Sequence, residues 1–246
     1  MSKTLLALAA FLAVPAVASA APQTGRAWGY ANLTTVVSPN LSLTLMPGVR
    51  YEYLRADADA KGRYLDELFV GPNFSARFGD LTVKASLWYY FTGYPTASAH
   101  AHNLEVIPAL EYRLGRLSLL YRLILHNTFY ASVYEDSAHR SGYGLVARNL
   151  FQARFAATPQ VGIILGVEPF HGVIEDAEAP AHSLGYWQRG LRLNRVYAGF
   201  DWKPIPELGV SPQYVLESAL DKDGNLAETG HYVFLTISYL WRPFEK

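Results

Sequence analysis

The sequence predicts an all-β protein, a transmembrane antiparallel up-and-down β-barrel of about twelve strands, with ten as the alternative. Three observations predict it. A secretory leader is followed by no stretch long enough for a spanning helix. Period-two alternation of apolar and polar residues recurs in segment after segment. Short and long connections alternate strictly, and the last segment is an aromatic amphipathic strand.

Residues 1–20 have the makeup of a signal peptide. Lys3 supplies the positive start, 5–14 is an uncharged apolar run, and Ala18-Ser19-Ala20 is a small-residue cleavage site. The run is shorter than the roughly 20 apolar residues of a spanning helix. No lipobox cysteine follows; the chain has 0 Cys, so no disulfide staples it. Residues 21–246 then suit one barrel domain. Formal net charge is +0, which argues against nucleic acid as a partner. Tyrosine is abundant, at 17 against 12 Phe and 5 Trp, and is expected at the membrane–water boundary.

The strands follow in order. Segments near 27–37, 41–54, 64–78, 81–92, 103–114, 117–130, 142–156, 160–170, 189–203, 207–218 and 230–241 alternate. In the fifth, Leu104, Val106, Leu110 and Tyr112 oppose Glu105, Glu111 and Arg113. In the ninth, Val196, Ala198, Phe200 and Trp202 oppose Arg195 and Asp201. In the last, Val233, Leu235, Ile237, Tyr239 and Trp241 form one apolar face. The expected lipid-facing set includes Leu119, Leu123, Ile163, Leu165, Phe200 and Ile237. Short turns carry Gly, Pro, Asn or Asp, as in Phe78-Gly79-Asp80-Leu81 and Leu114-Gly115-Arg116-Leu117. Long polar connections lie near 55–62, 92–103, 131–141, 171–188 and 219–229. These segments number eleven, whereas single-chain bacterial barrels have an even number with both termini on the turn side. Twelve is expected on that ground, with 21–26 as the start of a further stave. A periplasmic β-sandwich would also alternate, but its strands are shorter, near five or six residues.

Several fragments resemble an uncharacterised family of Gram-negative outer-membrane barrels, a domain of unknown function. The carriers are the opening Ala27-Trp28 strand with its turn to Leu41-Ser42-Leu43, the hairpin Arg113-Leu114-Gly115-Arg116-Leu117-Ser118-Leu119-Leu120-Tyr121-Arg122, the strand Asn194-Arg195-Val196-Tyr197-Ala198-Gly199, and the closing tyrosine strand 231–241. The chain departs from the family at its end, where Arg242-Pro243-Phe244-Glu245-Lys246 replaces a terminal aromatic. The resemblance implies a fold and an outer-membrane address, with the C-terminal strand presented to the barrel assembly machinery. It lends no activity.

Alternation assigns a charged set to the lumen: Arg50, Glu52, Glu67, Arg77, Lys84, Glu105, Glu111, Arg113, Arg122, Arg148, Arg154, Glu168, Arg195, Asp201 and Glu217. In a narrow barrel, opposed Arg and Glu are expected to pair, because an unpaired buried charge is costly. The expected role is a structural network filling the barrel, or a narrow polar conduit for a small solute.

Other constellations are weaker. His100 and His102 share a face if extended, but they fall in a predicted loop without a neighbouring acid at ligand spacing, and no metal or other cofactor is expected. His139-Arg140-Ser141 resembles, in spacing alone, the His-x-Ser pair of the outer-membrane phospholipase and the lipid A deacylase. The triplet sits in a predicted loop and its flanks match neither enzyme, so catalysis by His139 and Ser141 is the alternative to a non-enzymatic barrel. Asp221-Lys222-Asp223-Gly224-Asn225 resembles a calcium loop but has Tyr232 where the twelfth-position glutamate belongs. A surface-loop interaction protein is the third reading.

Overall fold

The structure is a computed structural model. It describes residues 21–54, 62–95, 99–130, 132–133, 139–140, 143–175, 188–221 and 223–243. The expected signal peptide at 1–20 lies outside them. No helix among the described residues is long and apolar enough to cross a membrane.

The strands are β1 (Gln23–Ser38), β2 (Leu41–Leu54), β3 (Gly62–Phe78), β4 (Leu81–Tyr94), β5 (Ala99–Leu114), β6 (Leu117–Tyr130), β7 (Ser132–Val133), β8 (His139–Arg140), β9 (Tyr143–Ala156), β10 (Val161–Ile174), β11 (Gly190–Ile205), β12 (Leu208–Leu220) and β13 (Leu226–Trp241). All but β7 and β8 form one closed barrel in the order β1-β13-β12-β11-β10-β9-β6-β5-β4-β3-β2. The two short strands pair only with each other, as a small ribbon between β6 and β9.

The barrel therefore has eleven staves, one fewer than the expected twelve. Residues 23–26 do not begin a further stave; they extend β1. Parity is resolved by the closing pair. β1 meets β13 in parallel, from Gln23↔Thr229 down to Thr35↔Trp241, while every other neighbour pair is antiparallel. A parallel ladder satisfies backbone groups as an antiparallel one does, slightly less strongly. Closure needs paired edges, not an even count, so Gln23 and Trp241 lie at opposite rims.

The turn-side rim is built from tight hairpins. Phe78 pairs with Leu81 and Leu114 with Leu117, leaving two-residue turns. Gly79 (φ 61) and Gly115 (φ 59) occupy them, as the left-handed first position of such turns requires. Across β9–β10, the Thr158 hydroxyl accepts the N–H groups of Gln160 (3.2 Å) and Val161 (3.0 Å).

Most strands run 14–17 residues, longer than the roughly 9–11 that cross the hydrocarbon layer. The predicted loops at 92–103 and 171–188 are correspondingly shorter: β4 runs to Tyr94, β5 starts at Ala99 and β10 ends at Ile174. Polar residues there ended the sequence pattern without ending the ladder, because backbone pairing does not depend on side-chain polarity.

Alternation sorts the two faces as expected. Leu119, Ile163, Phe200 and Ile237 are exposed on the outer wall at 40–48%, and Leu123 and Leu165 lie half-exposed on the same face. The core sits inside the barrel, toward the loop side. One cluster joins Trp28, Tyr30, Phe69, Tyr90, Val215 and Tyr232; a second joins Val146, Phe170, Leu193 and Ala219.

Candidate functional site

The candidate site is the lumen, and alternation on eleven staves builds it. The inward face of β1 carries Thr24, Arg26, Trp28 and Tyr30, all buried. Their neighbours on the barrel wall supply carboxylates. Together they form a buried layer inside the barrel.

Three buried glutamates anchor this layer, each held by a guanidinium and at least one tyrosine. Arg50 grips Glu67 with two prongs, Nε at 2.8 Å and Nη2 at 2.7 Å, and the hydroxyls of Tyr30 and Tyr90 donate to the same carboxylate. Arg195 donates to Glu217 at 2.6 Å, and Tyr232 donates there too. Arg148 holds Glu168 at 3.1 Å, with the Tyr197 hydroxyl on the other oxygen. Glu52 binds Arg26 at 2.7 Å, and Glu105 binds His126 at 2.8 Å with Arg148 at 3.6 Å. Charge-assisted bonds of this kind are the strong ones.

Guanidiniums and aromatic rings alternate across the waist. Arg50 lies over Trp28 at 4.2 Å, and Arg195 packs on the same ring at 4.8 Å. Arg195 also meets Phe170 at 4.6 Å, and Arg148 meets that ring at 4.7 Å. Arg50, Trp28, Arg195, Phe170 and Arg148 thus form a cation–π ladder. On its loop side lies a cavity of about 90 Å³ lined in part by Tyr90, Asn103, His126 and Thr128. Ordinary ligand pockets are larger, roughly 300–1,000 Å³.

The charged set predicted for the lumen divides between two levels. Arg50, Glu52, Glu67, Glu105, Arg148, Glu168, Arg195 and Glu217 build the waist and its loop side. Arg77, Lys84, Glu111, Arg113, Arg122, Arg154 and Asp201 share the inward parity but sit toward the turns, where Lys84 pairs with Glu111 at 2.5 Å and Arg154 forks onto Asp201 with two bonds of 2.8 Å. Arg77 bonds the Gly79 carbonyl at the rim. Gly162 admits the Arg154–Asp201 pair: a Cβ there would fall 2.4 Å from the Asp201 carboxylate and 2.5 Å from the Arg154 guanidinium.

Sequence reasoning missed Arg26, Trp28 and the lumenal tyrosines as site residues. It started the first strand at 27, although the alternation Thr24, Arg26, Trp28, Tyr30 was legible from Gln23. It assigned tyrosines to the membrane boundary. Tyr51, Tyr89, Tyr112, Tyr214 and Tyr239 do face outward, but Tyr30, Tyr90 and Tyr232 are buried inside.

His100 and His102 lie on the outer face of β5 rather than in a loop, with ring centroids 5.4 Å apart. They border an exterior groove with Asp66, Phe91 and Gly93, and the Tyr89 hydroxyl is 2.5 Å from His102 Nδ1. No third metal ligand joins them among the described residues. His139 lies in β8, opposite Val133; Ser141 is outside the described residues. Asp221 closes a turn by accepting the N–H groups of Asp223 and Asn225, each at 2.8 Å.

No family model matches the chain. No curated protein matches it either. Among solved structures it is similar to the outer-membrane expressed OmpT of Vibrio cholerae, at 15% identity and a TM-score of 0.40; the match covers 76% of this chain and 58% of that one, so this chain spans less than two thirds of that protein. The barrel assignment rests on the strand pairing itself.

Proposed function

We propose that the protein is an outer-membrane barrel, exported by a cleaved signal peptide and assembled through β13, whose lumen is closed at rest. It serves as a structural barrel with no catalytic role and no cofactor. The observation that carries this reading is the ladder of Arg50, Trp28, Arg195, Phe170 and Arg148, locked by glutamates whose side chains are 0–2% exposed. Ions crossing the waist would have to part buried pairs, each of which is costly to break.

Planar bilayers test it. Wild-type protein is expected to give no sustained open-channel steps, while a Trp28→Ala, Phe170→Ala double variant conducts. A steadily open wild type would overturn the closed reading. Heat-modifiable migration on gels tests the barrel in detergent, and free solubility without any amphiphile would remove the membrane from the reading. Fatty-acid release from phospholipid, lost in Ser141→Ala, would replace it with a hydrolase.

A second reading is a narrow conduit for a small solute. It is favoured by the half-open turn-side lumen, where Lys84 and Arg122 side chains remain 41% and 35% exposed.

A further inference from the structure

We infer that the turn-side lumen binds a phosphate-bearing anion against one wall. Below the waist, Arg77, Lys84, Arg113, Arg122 and Arg154 point inward from β3, β4, β5, β6 and β9, against two inward carboxylates, Glu111 and Asp201. Each carboxylate is already taken, Glu111 by Lys84 and Asp201 by Arg154. Positive charge is therefore in excess on this arc. Among the described residues Arg122 forms one ion pair, to Glu168 at 3.8 Å, and its buried Nε has no hydrogen-bond partner.

The opposite wall is neutral. There Thr34 bonds Thr44 at 3.0 Å, and Asn73 bonds Thr44 at 2.9 Å and accepts from Ser86 at 2.7 Å. Ser211 and Gln213 continue that wall on β12. The asymmetry gives a bound anion a side to sit on.

Register supplies the seat. Arg113 pairs with Ser118, and Ser118 pairs with Arg154, so the three share one row across β5, β6 and β9. Neighbouring strands lie about 4.8 Å apart, which sets the two arginine backbones about 10 Å apart with a small hydroxyl residue between them. A tetrahedral anion above Ser118 lies beside Arg113, whose fork matches phosphate oxygens, with the serine hydroxyl as a further donor; the Arg154 fork is turned across Gly162 onto Asp201 and is not a second clamp. These side chains face the lumen while lipid would meet the outer wall, so the phosphate belongs to a soluble solute and not to a headgroup.

The chain has 0 Cys, so Ser118→Cys supplies a single thiol on the basic wall and Ser211→Cys one on the neutral wall. The full mature chain, refolded in detergent, is labelled with a sulfonate-bearing and a trimethylammonium-bearing methanethiosulfonate. The sulfonate preference is expected to be about tenfold greater at position 118 than at 211. Inorganic pyrophosphate at constant ionic strength should protect 118 and spare 211, and the protection should vanish when Arg113→Gln and Arg122→Gln are added. Equal preference at the two walls, or protection that survives both glutamines, would overturn the inference. Should a cysteine variant fail to fold, calorimetric titration of pyrophosphate into wild type and Arg113→Gln decides: no saturable binding, or equal binding, sinks it. Dioleoylphosphatidic acid micelles competing as well as pyrophosphate would reassign the phosphate to a lipid and overturn the soluble-solute assignment.

Discussion

The loop-side and turn-side halves of the lumen are built from the same ion pairs and differ in how much water reaches them. Glu67, Glu168 and Glu217 side chains are 0–1% exposed. Lys84, Glu111 and Arg154 are 41%, 27% and 29% exposed. The cause is the company each charge keeps. On the loop side, inward positions between charges hold Trp28, Tyr30, Phe69, Tyr90 and Phe170, whose rings are buried inside the barrel. On the turn side they hold Ser75, Ser86, Ser118, Gly162 and Gly199, which leave room for solvent. An identical Arg–carboxylate pair is thus a cornerstone in one half and a minor contact in the other.

The largest expected effect breaks a waist pair. Glu168→Ala takes from Arg148 its nearer carboxylate, leaving Glu105 at 3.6 Å, and should cost about 3–5 kcal/mol. Asp201→Ala in the wetter half should cost about 1–2 kcal/mol. Urea unfolding of the refolded protein, followed by tryptophan fluorescence, measures both; equal losses would erase the distinction.

A matched glycine pair sharpens it. A Cβ at Gly48 would lie 2.4 Å from the buried Tyr30 ring, which its bonds to Glu67 and Arg50 hold in place. Gly48→Ala should therefore cost about 1–3 kcal/mol by overpacking. At Gly162 the clash is with the flexible ends of Arg154 and Asp201, which have solvent to move into, and Gly162→Ala should cost under about 1 kcal/mol. The same unfolding curves report the order, and a reversal would contradict the packing account. Smaller still, Lys84→Ala should change stability by about 0–1 kcal/mol, and high salt should remove most of that difference.

The smallest effect lies outside the barrel wall. The backbone N–H of Asn225, followed by its side-chain amide and the N–H groups of Asp223 and Gly224, holds the Asp221 carboxyl below its ordinary value of 3.8. A depressed folded value means that the turn's stabilisation is fully present above that ordinary value and is lost as pH falls through the depressed one. Amide protection at Asp223 and Asn225, relative to the intrinsic exchange rate at each pH, should fall only in that acid window; protection already lost at neutral pH would refute the cap.

Much of the fold was legible because alternation is local. The inward set from Arg50 to Glu217 and the outward set around Ile163 and Phe200 could be read residue by residue. The strand count was legible too, since eleven segments were visible, but a rule about even-stranded barrels displaced the observation. The histidines were misread as loop residues because polarity at 99–103 resembles a loop while the backbone pairing of His100 with Gly93 depends on another strand.

The sequence by itself determined the class of the fold and which side chains face inward, because a side-chain period of two is a property of one strand. It could not determine which arginine meets which glutamate. Arg26 meets Tyr232 and Glu217 across the parallel seam, a contact between chain ends. Only closure, with its fixed stagger between neighbouring strands, decides that register and therefore which half of the lumen is dry.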